Sequence, residues 1–162
     1  MFREATVDDL SALRDLERDA NLVGLAHVFP PERYPFPEDD VLARWALVLD
    51  EPGVDVLVHD AGDDGPGLDV FAAYDDRSLR HLAVHPRCWG TGLATTAIET
   101  VLRAMDDRGT TIAELWCLEE NRRARRLYEY LGWRAAPDRR PAPWPPHPTE
   151  MRYTRLIPQS DR

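Results

Sequence analysis

Leu82-Ala-Val-His-Pro-Arg-Cys-Trp-Gly-Thr-Gly-Leu-Ala94 joins an apolar strand to a helix through a tight turn carrying two glycines. The first amides of a helix have no carbonyl partners, and the aligned peptide dipoles place roughly half a positive charge there. Gly90 and Gly92 let the backbone turn sharply and approach a ligand with no Cβ in the way. A junction of this kind binds phosphate, and a pyrophosphate fits it. The Walker A pattern is excluded because no Gly-Lys-Ser/Thr is present, and the dinucleotide fingerprint needs three glycines at another spacing in an early βαβ unit.

Outward from this junction, residues 78–84 read as the incoming strand. The helix after the turn runs to about Arg108, with Leu93, Ala97, Ile98, Val101, Leu102 and Met105 facing inward and Gly109 closing it. Residues 111–118 return as a strand, so 78–118 is a βαβ crossover whose two strands should be parallel. Asn121 caps a further helix with Ala124, Leu127, Tyr128 and Leu131 on its inner face, stopped by Gly132. A short strand starts at 133–135, and a last strand covers 150–157. Upstream, residues 2–5 form a strand and Thr6-Val-Asp-Asp9 a capping sequence for a helix carrying Leu10, Leu13 and Leu16. A second helix covers about 38–49, and 54–59 with 68–74 form an antiparallel hairpin. Segments 21–37 and 136–148 are rich in proline and read as irregular loops. The expected class is α/β: one domain over 1–162 with a single mixed, largely antiparallel sheet of six to seven strands, a central parallel pair and about four flanking helices.

At 162 residues the chain can bury a sizeable core without metal or disulfide. Cys88 and Cys117 have no CxxC or Cys/His clustering, so reduced thiols are expected, as in a cytoplasmic protein, and no metal site is expected. The start has no basic-then-apolar leader, and nowhere do about eighteen apolar residues run together, so neither secretion nor a membrane span is expected. The net charge of −9 disfavours nucleic acid and anionic membrane and mildly favours a cationic small molecule. All 20 basic residues are arginine, which excludes acetylation of the chain's own lysine side chains.

Two segments in this order resemble the GNAT superfamily of acetyl-CoA-dependent N-acetyltransferases. The first is 82–94. The second is Leu115-Trp-Cys-Leu-Glu-Glu-Asn-Arg-Arg-Ala-Arg-Arg-Leu-Tyr-Glu-Tyr-Leu-Gly-Trp133. The family's first motif usually opens on Gln or Arg, where this chain has Trp89, followed by Gly90-Thr-Gly92-Leu-Ala94. Because backbone amides make most phosphate contacts in such a turn, CoA binding is expected to survive that change. The resemblance implies that the strand ending at Val84 diverges from the strand ending near Leu118, leaving a slot. Pantetheine would pair there with the backbone of Leu82 and Val84, and Ala83 between them is also expected to bind the cofactor. Trp89, Gly90, Thr91, Gly92, Leu93, Ala94 and Thr95 would surround the pyrophosphate. Asn121 matches an asparagine that contacts the CoA arm, and a plain helix cap explains it as well.

The implied reaction is acetyl transfer from acetyl-CoA to a primary amine of a small molecule or peptide, by direct attack in a ternary complex. An alkylamine with a pKa of about 10.4 is roughly 0.04% neutral at pH 7, so removing its proton costs about 4–5 kcal/mol. A base or desolvation must offset part of this, and the departing thiolate gains from a proton donor. Tyr128 matches the family's general-acid tyrosine; without the resemblance it reads as a core aromatic. At the positions where many members carry a glutamate or histidine base, this chain has Ser78 and Arg80. Asp76 and Glu114 are the candidate bases, beside deprotonation by ordered water. His81 has the opposite strand parity from Ser78 and Arg80 and reads as a packed or surface residue. Phe29, Tyr34, Phe36 and Trp144 could line the acceptor side with Glu32 beside them, or simply pack the loops. A CoA-binding module without transfer activity and an acyl-CoA hydrolase are the alternatives. The oligomeric state is open, with a homodimer as the common default.

Overall fold

A computed structural model describes residues 1–159; the last three positions of the expected 1–162 unit lie outside the described residues. Seven strands and four α-helices follow in the order β1 (Phe2–Glu4), α1 (Leu10–Gly24), α2 (Glu38–Asp50), β2 (Asp55–Asp60), β3 (Leu68–Tyr74), β4 (Leu79–Val84), α3 (Leu93–Asp107), β5 (Ile112–Leu118), α4 (Arg122–Tyr130), β6 (Arg134–Pro141) and β7 (Thr149–Leu156). The α/β class is as expected. The strands form a four-stranded antiparallel sheet, β1-β2-β3-β4, and a three-stranded antiparallel sheet, β5-β7-β6. The expected parallel pair is reduced to one bridge, Ser78 to Glu114, supported by the amide of Glu114 donating to the carbonyl of Arg77 at 2.9 Å.

The two sheets part because of a bulge. Tyr74 stands opposite Leu79 and Ala73 opposite His81, so Arg80 is the extra residue in β4. A bulge bends its strand and increases local twist. Arg80 is fixed there by Asp75 at 2.7 Å and Glu51 at 2.8 Å. Beyond it, β4 runs away from β5 with one backbone edge unpaired by any strand.

Strand β3 is buried along its whole length, which its apolar sequence permits, and it divides two cores. Phe71 and Ala73 pack against Leu13, Leu16, Val41, Trp45 and Val48 of α1 and α2. Ala72 and Tyr74 share the other core with Ile98, Val101 and Met105 of α3 and with Ala113, Leu115, Tyr128, Trp133 and Tyr153. The start of the first helix is the expected capping box: the Thr6 amide donates to Asp9 Oδ2 at 2.7 Å, and Asp9 is held by Arg3.

Two irregular segments proved partly regular. The α1 helix continues through Asn21 to Gly24, because the first helix-breaking proline comes only at Pro30. β6 extends to Pro141, through half of the segment read as a loop at 136–148. It is an edge strand with a register shift between Ala135 and Arg139, and an edge tolerates prolines that cannot donate to a ladder. Among the described residues, no helix is long and apolar enough to cross a membrane.

Candidate active site

The glycine turn takes the geometry its sequence requires. Gly90 and Gly92 have φ of 77° and 85°, and a Cβ on either would meet no atom within 4 Å, so both face open space. Gly92 is the residue before α3 and offers no side-chain cap. The amides of Leu93, Ala94 and Thr95 therefore precede the first helical repeat, which begins when the Thr96 amide donates to the Gly92 carbonyl at 3.1 Å. Thr91 is exposed, its hydroxyl donating back to the Cys88 carbonyl at 2.6 Å.

Gly90, Gly92, Leu93, Ala94 and Thr95 line a cavity of about 390 Å³ together with Leu82, Ala83, Val84, Trp89, Gly24, Asn121, Arg123 and Tyr128, while Thr91, expected beside the pyrophosphate, is not in its lining. It is bounded by the end of β4, the end of α1 and the starts of α3 and α4, and it reaches the glycine turn where the resemblance places the pyrophosphate. The donor set fits a polyanion with an extended amide-bearing arm: open helix amides at one end and an unpaired strand edge along the side. Of the strand groups expected to pair with pantetheine, the carbonyl of Val84 already has a partner. It accepts from Trp89 Nε1 at 2.8 Å. Asn121 caps α4, its side chain accepting from the Ala124 amide at 3.3 Å, and it also lines the cavity. On the far side, His27 Nε2 donates to the Glu120 carbonyl at 2.9 Å, linking the loop after α1 to the turn before α4.

A second cavity of about 590 Å³ meets the first at Asn21, Leu82, Ala83, Asn121 and Tyr128. Among the residues common to both, Tyr128 alone carries a titratable group. It is 8% exposed, with ring centroids 6.1 Å from Trp133 and from Tyr153. No hydrogen bond among the described residues engages its hydroxyl. Burial, followed by the neighbouring Cys117 and Tyr153, raises its pKa above the usual phenol value, so it is a protonated donor at neutral pH.

The candidate bases separate. Glu114 lines the second cavity. Its carboxylate is held by Ser78 Oγ, Arg77 and Arg152, each at 3.3 Å. Asp76 does not reach the cavity; its exposed carboxylate pairs with Arg108 at 3.1 Å, because the bend at 75–77 turns it toward the end of α3. His81 packs against Trp45, with ring centroids 5.4 Å apart, and also lines the cavity. The bulge at Arg80 reverses the parity from which its side was read. Burial, then the charges of Arg44 and Arg80, lower its pKa to about 3, so it is neutral.

Sequence reasoning missed Glu17 and Arg44, a largely buried ion pair between α1 and α2 that also lines this cavity. Burial pushes the Glu17 carboxyl above the usual range against the opposing pull of Arg44. The available signal was a charge on the apolar Leu13-Leu16-Ala20 side of a helix. A third cavity of about 520 Å³ continues from the second past Glu17 and is walled by Phe29, Tyr34, Phe36 and Trp144. The four aromatics line one cavity, while Glu32 is exposed and outside the three cavities.

A turn of open helix amides, two diverging strands and a buried tyrosine shared by two cavities are the parts that an acyl-CoA-dependent transferase needs. The chain belongs to the acetyltransferase (GNAT) family, whose model matches residues 8–133. Members of this family use acetyl-CoA. Over 106 residues, 64% of this chain, it is 30% identical to mycothiol acetyltransferase of Beutenbergia cavernae, and the match covers 36% of that protein. Among solved structures, a GCN5-related N-acetyltransferase from Rhodopseudomonas palustris superposes with a TM-score of 0.80 at 19% identity, covering 97% of this chain and 95% of the other. The ribosomal-protein-S18-alanine N-acetyltransferase of Escherichia coli gives 0.72 at 20% identity, covering 100% and 96%. Spermidine N-acetyltransferase from Vibrio cholerae, solved with CoA and spermine, gives 0.68 at 18% identity, covering 97% and 95%. At these identities the solved structures establish the shared fold.

Proposed function

We propose that this chain moves an acetyl group from acetyl-CoA to a primary amine by direct attack in a ternary complex, with Tyr128 as the general acid. The observation that carries this reading is the position of Tyr128, a buried and protonated phenol at the junction of the donor and acceptor cavities. Acetyl-CoA supplies the activated acyl carbonyl. The amides of Leu93, Ala94 and Thr95 hold its phosphates, the free edge of β4 orients its arm, and the Tyr128 hydroxyl protonates the departing sulfur. Glu114 takes the proton that the amine must lose. Of the two carboxylates singled out from the sequence, it is the one that lines the acceptor cavity.

The acceptor is an amine of a small molecule or peptide that carries an apolar group. The Phe29, Tyr34, Phe36 and Trp144 walls suit such a group, and Glu17 lies where the second and third cavities join. The similar proteins described as acting on a ribosomal-protein alanine and on spermidine make both peptide and small-molecule amines reasonable acceptors. Thiol release from acetyl-CoA over a panel of amines tests the reading. Release that depends on an amine supports transfer. Tight acetyl-CoA binding without release on any amine supports a binding module, and release without an amine supports a hydrolase.

A further inference from the structure

We propose that Arg123, held against the ring of Trp89, is a phosphate-binding side chain for the CoA donor; this rests on the acyl-CoA reading of the slot. In this acidic chain the other arginines that line the two adjoining cavities are matched to carboxylates: Arg44 to Glu17, Arg80 to Asp75 and Glu51, Arg140 to Glu150. Arg123 has no hydrogen bond or ion pair among the described residues. Its guanidinium carbon instead lies 3.2 Å from the centroid of the Trp89 ring, well inside cation–π range.

That ring is itself fixed. Its Nε1 donates to the Val84 carbonyl at 2.8 Å, and its six-membered edge packs where a Cβ on Gly24 would be 3.5 Å away. The indole therefore sets the place of the guanidinium, and the five N–H donors of that group stay unused. Arg123 and Trp89 line the same cavity as Gly90, Gly92 and the first residues of α3. A held cation with free donors beside open helix amides is a site for a multiply charged oxyanion. Partial burial with no counter-charge lowers the pKa of Arg123, a cost that a bound phosphate would remove. Trp89, which brings no charge to the turn, becomes the platform for a cation supplied by α4.

Calorimetric titration of CoA, 3′-dephospho-CoA and pantetheine into the wild type, Arg123→Gln and Trp89→Leu tests this. For Arg123→Gln, the expected result is a Kd for CoA raised about tenfold and a Kd for pantetheine within about twofold of wild type. Loss on both CoA and dephospho-CoA assigns the contact to the pyrophosphate, and loss on CoA alone assigns it to the 3′-phosphate. Trp89→Leu should weaken CoA in the wild-type background and much less in Arg123→Gln, because its main role is to hold the guanidinium. An unchanged CoA affinity in Arg123→Gln, or an equal loss for CoA and pantetheine, overturns the proposal. A wild type that binds none of the three instead removes the acyl-CoA reading itself.

Discussion

Ser78 and Glu114 make the parallel bridge between the two sheets, and the hydroxyl of Ser78 also donates to Glu114 Oε1 at 3.3 Å. That contact gives the slot a closed end. From it β4 and β5 run in the same direction and separate, so the glycine turn after Val84 and the cap of α4 at Asn121 stand at the open end. The carboxylate of Glu114 lies at the closed end, and Tyr128 lines both cavities.

Gly92→Val should weaken CoA binding more than it weakens the fold. At a φ of 85°, a side chain at Gly92 costs about 1–2 kcal/mol of stability, and the valine would stand in open space beside the amides of α3. Gly53→Val is the matched control, since Gly53 has a φ of 82°, also faces open space and is not among the residues lining the donor cavity. Calorimetry should show a CoA affinity at least about tenfold weaker for Gly92→Val and near wild type for Gly53→Val. Equal affinities in the two variants would remove the phosphates from this turn.

Stability should fall as the pH drops below about 6.5, the ordinary histidine pKa of the unfolded chain. His81 is held at about 3 when folded, so between these values the unfolded state binds a proton that the folded state refuses. The loss reaches up to about 1.4 kcal/mol per pH unit. Glu17 acts in the opposite sense, because its raised pKa lets the folded state keep a proton longer than the unfolded one. Urea midpoints of the wild type at pH 7 and pH 5 should therefore differ, and His81→Gln should flatten the difference. A pH dependence that is the same in the wild type and in His81→Gln contradicts the placement of His81.

The glycine turn, the Asn121 cap and Tyr128 were legible in the sequence because each rests on local chemistry: a positive φ, a side chain returning to its own helix, an aromatic on a periodic face. The side that His81 faces was not. A bulge exists only with respect to a partner strand, so the extra residue Arg80 is invisible until β3 and β4 are in register. Glu17 with Arg44 escaped for a similar reason, since their pairing depends on how α1 packs on α2. The length of β6 was hidden by Pro137 and Pro141, which argue against a central strand and are compatible with an edge.

Trp144→Ala should raise the KM for the amine while leaving the KM for acetyl-CoA unchanged. Trp144 lines the second and third cavities and is absent from the donor cavity. Losing a large aromatic contact of about 1.5–3 kcal/mol corresponds to an increase of roughly tenfold or more. Trp144→Phe should fall between wild type and alanine. A KM change on acetyl-CoA alone would move the acceptor elsewhere.

The most direct test of the account is the single-turnover rate of acetyl transfer by Tyr128→Phe with the best amine from the panel, measured with its CoA affinity. The hydroxyl makes no hydrogen bond among the described residues, so the variant should fold as the wild type does. The account requires a rate lower by about a hundredfold or more with a CoA affinity within about tenfold of wild type. A transfer rate equal to that of the wild type would contradict it and take Tyr128 out of the chemistry.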